Sequence, residues 1–296
     1  MYAQFFGNYL LSQGIVTKEQ LIHAMQQKSS ARIKIGTLAM HAGYMTASEV
    51  NRIIILQTHH DKHFGELAVS EGYLTEEQVA DLLRAQSPDF LLLAQSLVDN
   101  GVISVEQLQN IMIDYQSENE LEDFNYSVET QDTIEHLLEN FFVLAERSLS
   151  EREIKFIQLL MNNLIRFIGD DYTLVSPSLC KEYPTNYCVS QKINGPFSMK
   201  TYIDMPEDVA IQFASRYVQD TFTEFDDYVR SSLEDFLNLH NGIFCVNMSN
   251  DESTELTLEP PMNEKKELLT FEQETYLLPI VYPFGTIHFI FQLFKI

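Results

Sequence analysis

Apolar residues in the first 116 positions fall at i, i+4 spacing in four bursts: Leu21/Met25, Val50/Ile54, Val79/Leu83 and Leu108/Met112. That spacing builds one face of a helix. The bursts lie 29 residues apart, and the residues between them keep the same step. Gly7, Gly36, Gly65 and Ala94 are in phase, as are Gly14, Gly43, Gly72 and Gly101, and Thr17, Thr46, Thr75 and Ser104. Each unit reads as a short helical segment closed by a glycine suited to a left-handed C-cap. Two apolar or aromatic residues follow, then the Thr or Ser. Three residues later stands Gln20, Glu49, Gln78 or Gln107. That Thr/Ser-x-x-Glu/Gln pattern is a capping box, which opens a helix. The pattern predicts an all-helical repeat domain over residues 1–116, its units burying their stripes on one another.

Beyond it the period stops. Residues 117–149 predict an acidic linker (117–133) and a bridging helix (134–145). Residues 150–296 predict an α+β domain. An amphipathic helix spans 154–168 and ends at Gly169. Alternation over 187–205, broken at Asn194-Gly195-Pro196, predicts a hairpin. Pro206-Glu207-Asp208 opens a helix through Val209, Phe213 and Tyr217, with acids near its positive end. Another helix begins near Asp226. The apolar segments 276–282 and 287–294, joined by Pro283-Phe284-Gly285, predict central strands. The fold class is α+β: helical repeats, then an antiparallel sheet with long helices.

Composition narrows the function. The chain is 45% hydrophobic and 21% charged, which suits ordinary cores. Its net charge of −24 argues against nucleic acid and against an anionic membrane surface, both of which need a basic patch. There is no apolar run of membrane-spanning length and no basic-then-apolar leader. Cys180, Cys188 and Cys245 form no CxxC pair, so a cytoplasmic setting is expected. His59 and His63 are four apart, like helical metal ligands. The repeat phase, however, puts them at a junction between units, where a helix ends.

The repeats resemble the MshEN family, the N-terminal domain of type II secretion and pilus ATPases. The second unit gives Lys34-Ile35-Gly36, Ala39, Gly43, Val50, Ile54 and Gln57; the third gives His63-Phe64-Gly65, Ala68, Gly72, Val79, Leu83 and Gln86. Some members of that family bind cyclic di-GMP through a leading Arg. The corresponding positions here are Phe5, Lys34, His63 and Leu92, none able both to stack on guanine and to grip phosphate with a fork. A regulatory or docking module is therefore the first expectation for the repeats, and a cyclic-di-GMP sensor an alternative.

In the stretch DFLNLHNG, residues 235–242, helical geometry puts Val229, Leu233, Phe236, Leu237, His240 and Phe244 on one side. Ser231, Asp235, Asn238 and Gly242 form a polar stripe on the other. An acid, Asn three residues on, Gly four further, and Pro260-Pro261 after a strand entry resemble CheX-like chemotaxis phosphatases (the CheC/CheX family). The resemblance covers roughly residues 150–296. It implies hydrolysis of the aspartyl-phosphate of a CheY-like receiver domain. Asn238 would hold a water in line with phosphorus and Asp235 would meet the receiver's lysine. Ser231 and Gly242 would face the partner, the latter giving clearance. The magnesium would belong to the receiver, so no cofactor is expected in this chain. The family's usual acid is Glu; here it is Asp235, one methylene shorter, and Glu234 points about 100° away. A homodimer joined through the sheets is expected, with the apolar strand at 287–296 as its edge. The alternative from another class is a non-catalytic dimeric adaptor in two-component signalling.

Overall fold

In the computed structural model the chain forms two compact units, Met1–Thr130 and Gln131–Ile296. The residues described are 2–28, 33–84, 89–118 and 150–294. The predicted bridging helix at 134–145 and nearly all of the predicted linker lie outside them; Ser117 and Glu118, placed in the linker by sequence, continue the preceding helix.

The first unit is four helix pairs: α1 (Tyr2–Ser12) with α2 (Lys18–Lys28), α3 (Ile35–His41) with α4 (Ala47–Gln57), α5 (Phe64–Ser70) with α6 (Glu76–Arg84), and α7 (Asp89–Asp99) with α8 (Val105–Glu118). The long helices start at 18, 47, 76 and 105, 29 apart. The joints are built alike. Gly14, Gly43, Gly72 and Gly101 have φ of +65°, +69°, +76° and +67°, a region an L side chain enters only at a cost. Thr46 and Glu49 exchange both bonds of a capping box, and the Thr17–Gln20, Thr75–Gln78 and Ser104–Gln107 pairs do the same.

Two features depart from the sequence reading. The helices α1 and α7 are a turn longer than α3 and α5, and between them and α8 lies an aromatic cluster: Phe6 meets Phe90 at 5.0 Å and Tyr115 at 5.1 Å between ring centroids. And the apolar stripes of α4 and α6 are not fully covered. Val50 is buried, but Ile54 is 42% and Leu83 65% exposed. They line an apolar groove that also takes in Lys34, Gln57 and His63. The segment 58–63 is the turn between α4 and α5, as the repeat phase expects; among the described residues no group of three or more His, Cys, Asp or Glu side chains could hold a metal ion.

The second unit opens with α9 (Glu151–Phe167), capped by Ser150 and Glu153. Its main sheet is antiparallel in the order β1-β9-β10-β5-β4-β6. These strands are β1 (Thr173–Leu174), β4 (Val189–Asn194), β5 (Ser198–Asp204), β6 (Thr257–Leu258), β9 (Thr275–Tyr282) and β10 (Gly285–Phe294). The short strands β2 (Ser178–Leu179) and β7 (Met262–Asn263) extend its edges, and β3 (Glu182–Pro184) pairs with β8 (Leu268–Thr270) in a separate ribbon. Between β5 and β6 run α10 (Glu207–Val218) and α11 (Asp227–Glu252). Pro206 stands one place before α10 as its N-cap, and Asp226 caps α11 by accepting the Val229 N–H.

Alternation along β5 separates the two faces of the sheet. Thr201 points at α11, where Asn241 bonds to it, while Tyr202 and Asp204 point at the β3–β8 ribbon through Phe271 and Tyr183. The predicted helix stripe is the buried one: Val229, Leu233, Phe236, Leu237, His240 and Phe244 are all buried. The two central strands are as expected, but the edge reading is corrected. Strand β10 is paired with β9 on one side and β5 on the other, through the full length of both registers. An apolar ten-residue strand hides its backbone and both faces best in the middle of a sheet.

Candidate functional site

The site is built on α11, which runs unbroken through residues 243–249. Gly242 is therefore mid-helix and is not a cap. Ser231, Asp235 and Asn238 are exposed on one face, and Gly242 follows one turn later, half-buried. The first three line an open groove with Tyr217 and Val218 at the end of α10, Phe222 in the following loop, Tyr228, and Pro261 from the strand entry beyond α11. Gly242 lies outside that groove. A Cβ added to it would meet only Leu258 Cδ1, at 3.9 Å, so packing within the chain does not demand a glycine there.

Asp235 and Asn238 are held from behind, by groups the sequence reading did not single out. Tyr217 donates its hydroxyl to Asp235 Oδ2 at 2.7 Å, tying α11 to α10. Burial, reinforced by that bond to the carboxylate, raises the Tyr217 phenol well above its ordinary range, so it stays a donor. Gln191 of β4 donates Nε2 to Asn238 Oδ1 at 2.7 Å and to the Glu259 carbonyl at 2.9 Å. Behind it Asn241 donates to Gln191 Oε1 and to Thr201 Oγ1, both at 2.8 Å. Glu234, the adjacent acid, lines the same groove, and its carboxylate accepts from Asn263 of β7.

A sequence signal for this layer exists. In β4 the helix-facing positions are Val189, Gln191 and Ile193, and in β5 Met199, Thr201 and Ile203. A polar residue in each apolar row, both fully buried, requires partners, because an unsatisfied buried amide is costly. Asn241 on the buried side of α11 is that partner.

Other reactive groups are structural. Burial pushes the Cys245 thiol up to about 11, leaving little thiolate. Asn163 of α9 is buried against His240.

No family model matches the chain, and no curated protein matches it. Solved structures resemble its C-terminal half. A CheC-like superfamily protein from Shewanella sp. PV-4 aligns with TM-score 0.43 and 15% identity, covering 50% of this chain and 100% of its own. The chemotaxis protein CheX from Vibrio vulnificus aligns with TM-score 0.43 and 13% identity, covering 49% of this chain and 100% of its own. A CheX–CheY complex with BeF3 and Mg2+ from Borrelia burgdorferi aligns with TM-score 0.40 and 15% identity, covering 49% of this chain and 99% of that one.

Proposed function

We propose that the second unit is a phosphatase of phosphorylated CheY-like receiver domains. The observation that carries this reading is the exposed Asp235–Asn238 pair on one helix face beside an open groove. A carboxamide and a carboxylate without a nucleophile of their own are equipped to position, not to attack. Asn238 would enter the receiver's active site and hold a water in line with the phosphorus, so that the bimolecular attack becomes nearly unimolecular. The water adds to phosphorus, the aspartyl oxygen leaves with the bonding pair, and phosphate is released. A magnesium ion on the receiver would carry the developing charge. Asp235 would meet the receiver's lysine, and a chain of net charge −24 favours approach by a basic spot. Its carboxylate is one methylene short of Glu, and its bond from Tyr217 holds it in a fixed place from which to reach. Ser231 would rim the contact. The CheX of B. burgdorferi is solved with CheY, BeF3 and Mg2+, and the partner proposed here is of that kind. The helical repeats would regulate or dock the enzyme.

The test is phosphate release from phosphorylated receiver domains of the same organism, mixed with the full chain. Faster release that Asn238→Ala abolishes is the expected result; that side chain is exposed, so the variant should keep its fold. Receivers that bind but lose phosphate no faster would establish the adaptor reading instead. Receivers that neither bind nor lose phosphate would end both.

A further inference from the structure

The proposed chemistry hangs on one carboxamide, and a carboxamide can turn either its oxygen or its nitrogen toward a partner. On α11 that choice is already made. The Glu259 carbonyl can only accept, so the Gln191 atom facing it at 2.9 Å is the donor Nε2. The same Nε2 faces Asn238 at 2.7 Å, which makes the Asn238 atom there Oδ1. The other end of Gln191 agrees: its Oε1 accepts from Asn241 Nδ2. Asn241 Nδ2 also feeds Thr201 Oγ1, which in turn sends its hydrogen to the Gln191 carbonyl at 3.3 Å. Turning Gln191 over would set oxygen against oxygen at Glu259 and nitrogen against nitrogen at Asn241. The layer is buried, with Gln191 1%, Thr201 0% and Asn241 0% exposed.

We infer that Gln191 is the positioning residue of the site: it fixes the Asn238 carboxamide with Oδ1 held on the sheet side, leaving Nδ2 and the second lone pair of Oδ1 for the partner. The inference rests on the phosphatase reading for its consequence. In that reading the remaining lone pair accepts a hydrogen of the attacking water, and Nδ2 donates to a phosphoryl oxygen. Locking one rotation in advance removes a motion that would otherwise be frozen at the moment of reaction.

Two readouts test it on the full chain. The first is 15N relaxation of the Asn238 side-chain amide, assigned by its loss in Asn238→Ala. It should be as ordered as the neighbouring backbone in the wild type and become mobile in Gln191→Met, which keeps the length but not the donor. Gln191→Asn, too short to reach, should do the same and serves if the methionine variant does not fold. The second is dephosphorylation of a receiver domain charged with phosphoramidate. Both Gln191 variants should lose about 10- to 100-fold in kcat, with KM changed by less than about 2-fold, the scale of a small misplacement. Thr201→Val separates positioning from packing: it weakens the buried layer but leaves the Gln191–Asn238 bond, so Tm should fall while kcat and the amide's order stay. An Asn238 amide already mobile in the wild type overturns the inference, as does full kcat in a folded Gln191→Met. If the wild type dephosphorylates no receiver, the phosphatase reading falls, while the relaxation contrast still decides what Gln191 does.

Discussion

Gly242→Ala should move stability and function in opposite directions. The residue sits near the middle of α11, where glycine is about 1 kcal/mol worse than alanine through the entropy of the unfolded chain. Its backbone is helical, and the added Cβ would find Leu258 Cδ1 at 3.9 Å, an ordinary contact. No strain or clash therefore offsets the gain, and the second unit should become more stable by about 1 kcal/mol. For a unit of this size that is a rise of about 2–4 °C in Tm. Far-UV circular dichroism melts of the full chain read it directly. The same methyl group would stand on the stripe proposed to meet the receiver, and in that reading it would hold the partner off by the thickness of a carbon. Phosphate release should then fall by about 10-fold or more, since 1 Å of misplacement costs on the order of 100-fold. A variant that is stabilised and fully active would refute the clearance role of Gly242. A variant that melts lower would refute the packing argument itself.

Two further predictions concern the folds. His240 is fully buried, which lowers its pKa to about 3 from 6.5, so the folded unit keeps it neutral. Below about pH 6.5 the unfolded chain takes up a proton that the folded one refuses, and stability falls as pH drops toward 3. The loss is about 1.4 kcal/mol per pH unit, or about 2 kcal/mol by pH 5. Urea midpoints at pH 7 and pH 5 should differ by that much less in His240→Gln, and an unchanged difference would contradict the buried neutral ring. In the repeats, Gly72→Ala should cost about 1 kcal/mol through its φ of +76° alone, because its Cβ would meet nothing within 4 Å. Gly36→Ala should cost more by a different route, since its Cβ would lie 2.8 Å from Val50 Cγ1. Equal costs in chemical denaturation would show that the two glycines do the same job.

The repeats were legible because their joints are local. A left-handed glycine and a capping box are decided within a few residues, so Gly43 and Thr46 announce a turn wherever they stand. Length and exposure were not local. Phe90 in the extra turn of α7 packs on Phe6, more than eighty residues away, and the exposure of Ile54 and Leu83 depends on what the neighbouring units leave uncovered. In the second unit the stripe on α11 followed from helical geometry, and the two central strands followed from their apolar runs. Strand order did not, so the expected dimer edge at 287–296 fails although the strand is central as expected: an apolar run says that a strand is buried and is silent on which neighbours bury it. The residues behind the site were the most hidden. Gln191 and Thr201 are polar interruptions of apolar rows, and their partner Asn241 lies forty residues or more away in sequence.

The internal place of β10 also bears on how the molecule comes into being. Its register joins Ser198 to Phe294 and Asp204 to His288, pairings that no earlier stretch of chain can make. As the polypeptide is synthesised, the β4–β5 hairpin and the helix carrying Asn238 emerge well before the strand that completes their sheet. Until then β5 has an open apolar side, the kind of surface that invites the wrong neighbour. The glycine joints of the first unit each close on residues a few positions away, although its core too waits for late partners, since Phe6 packs on Phe90 and Tyr115. One chain thus holds a half whose turns can form as they are made and a half whose sheet is set by its late strand, through long loops that close slowly.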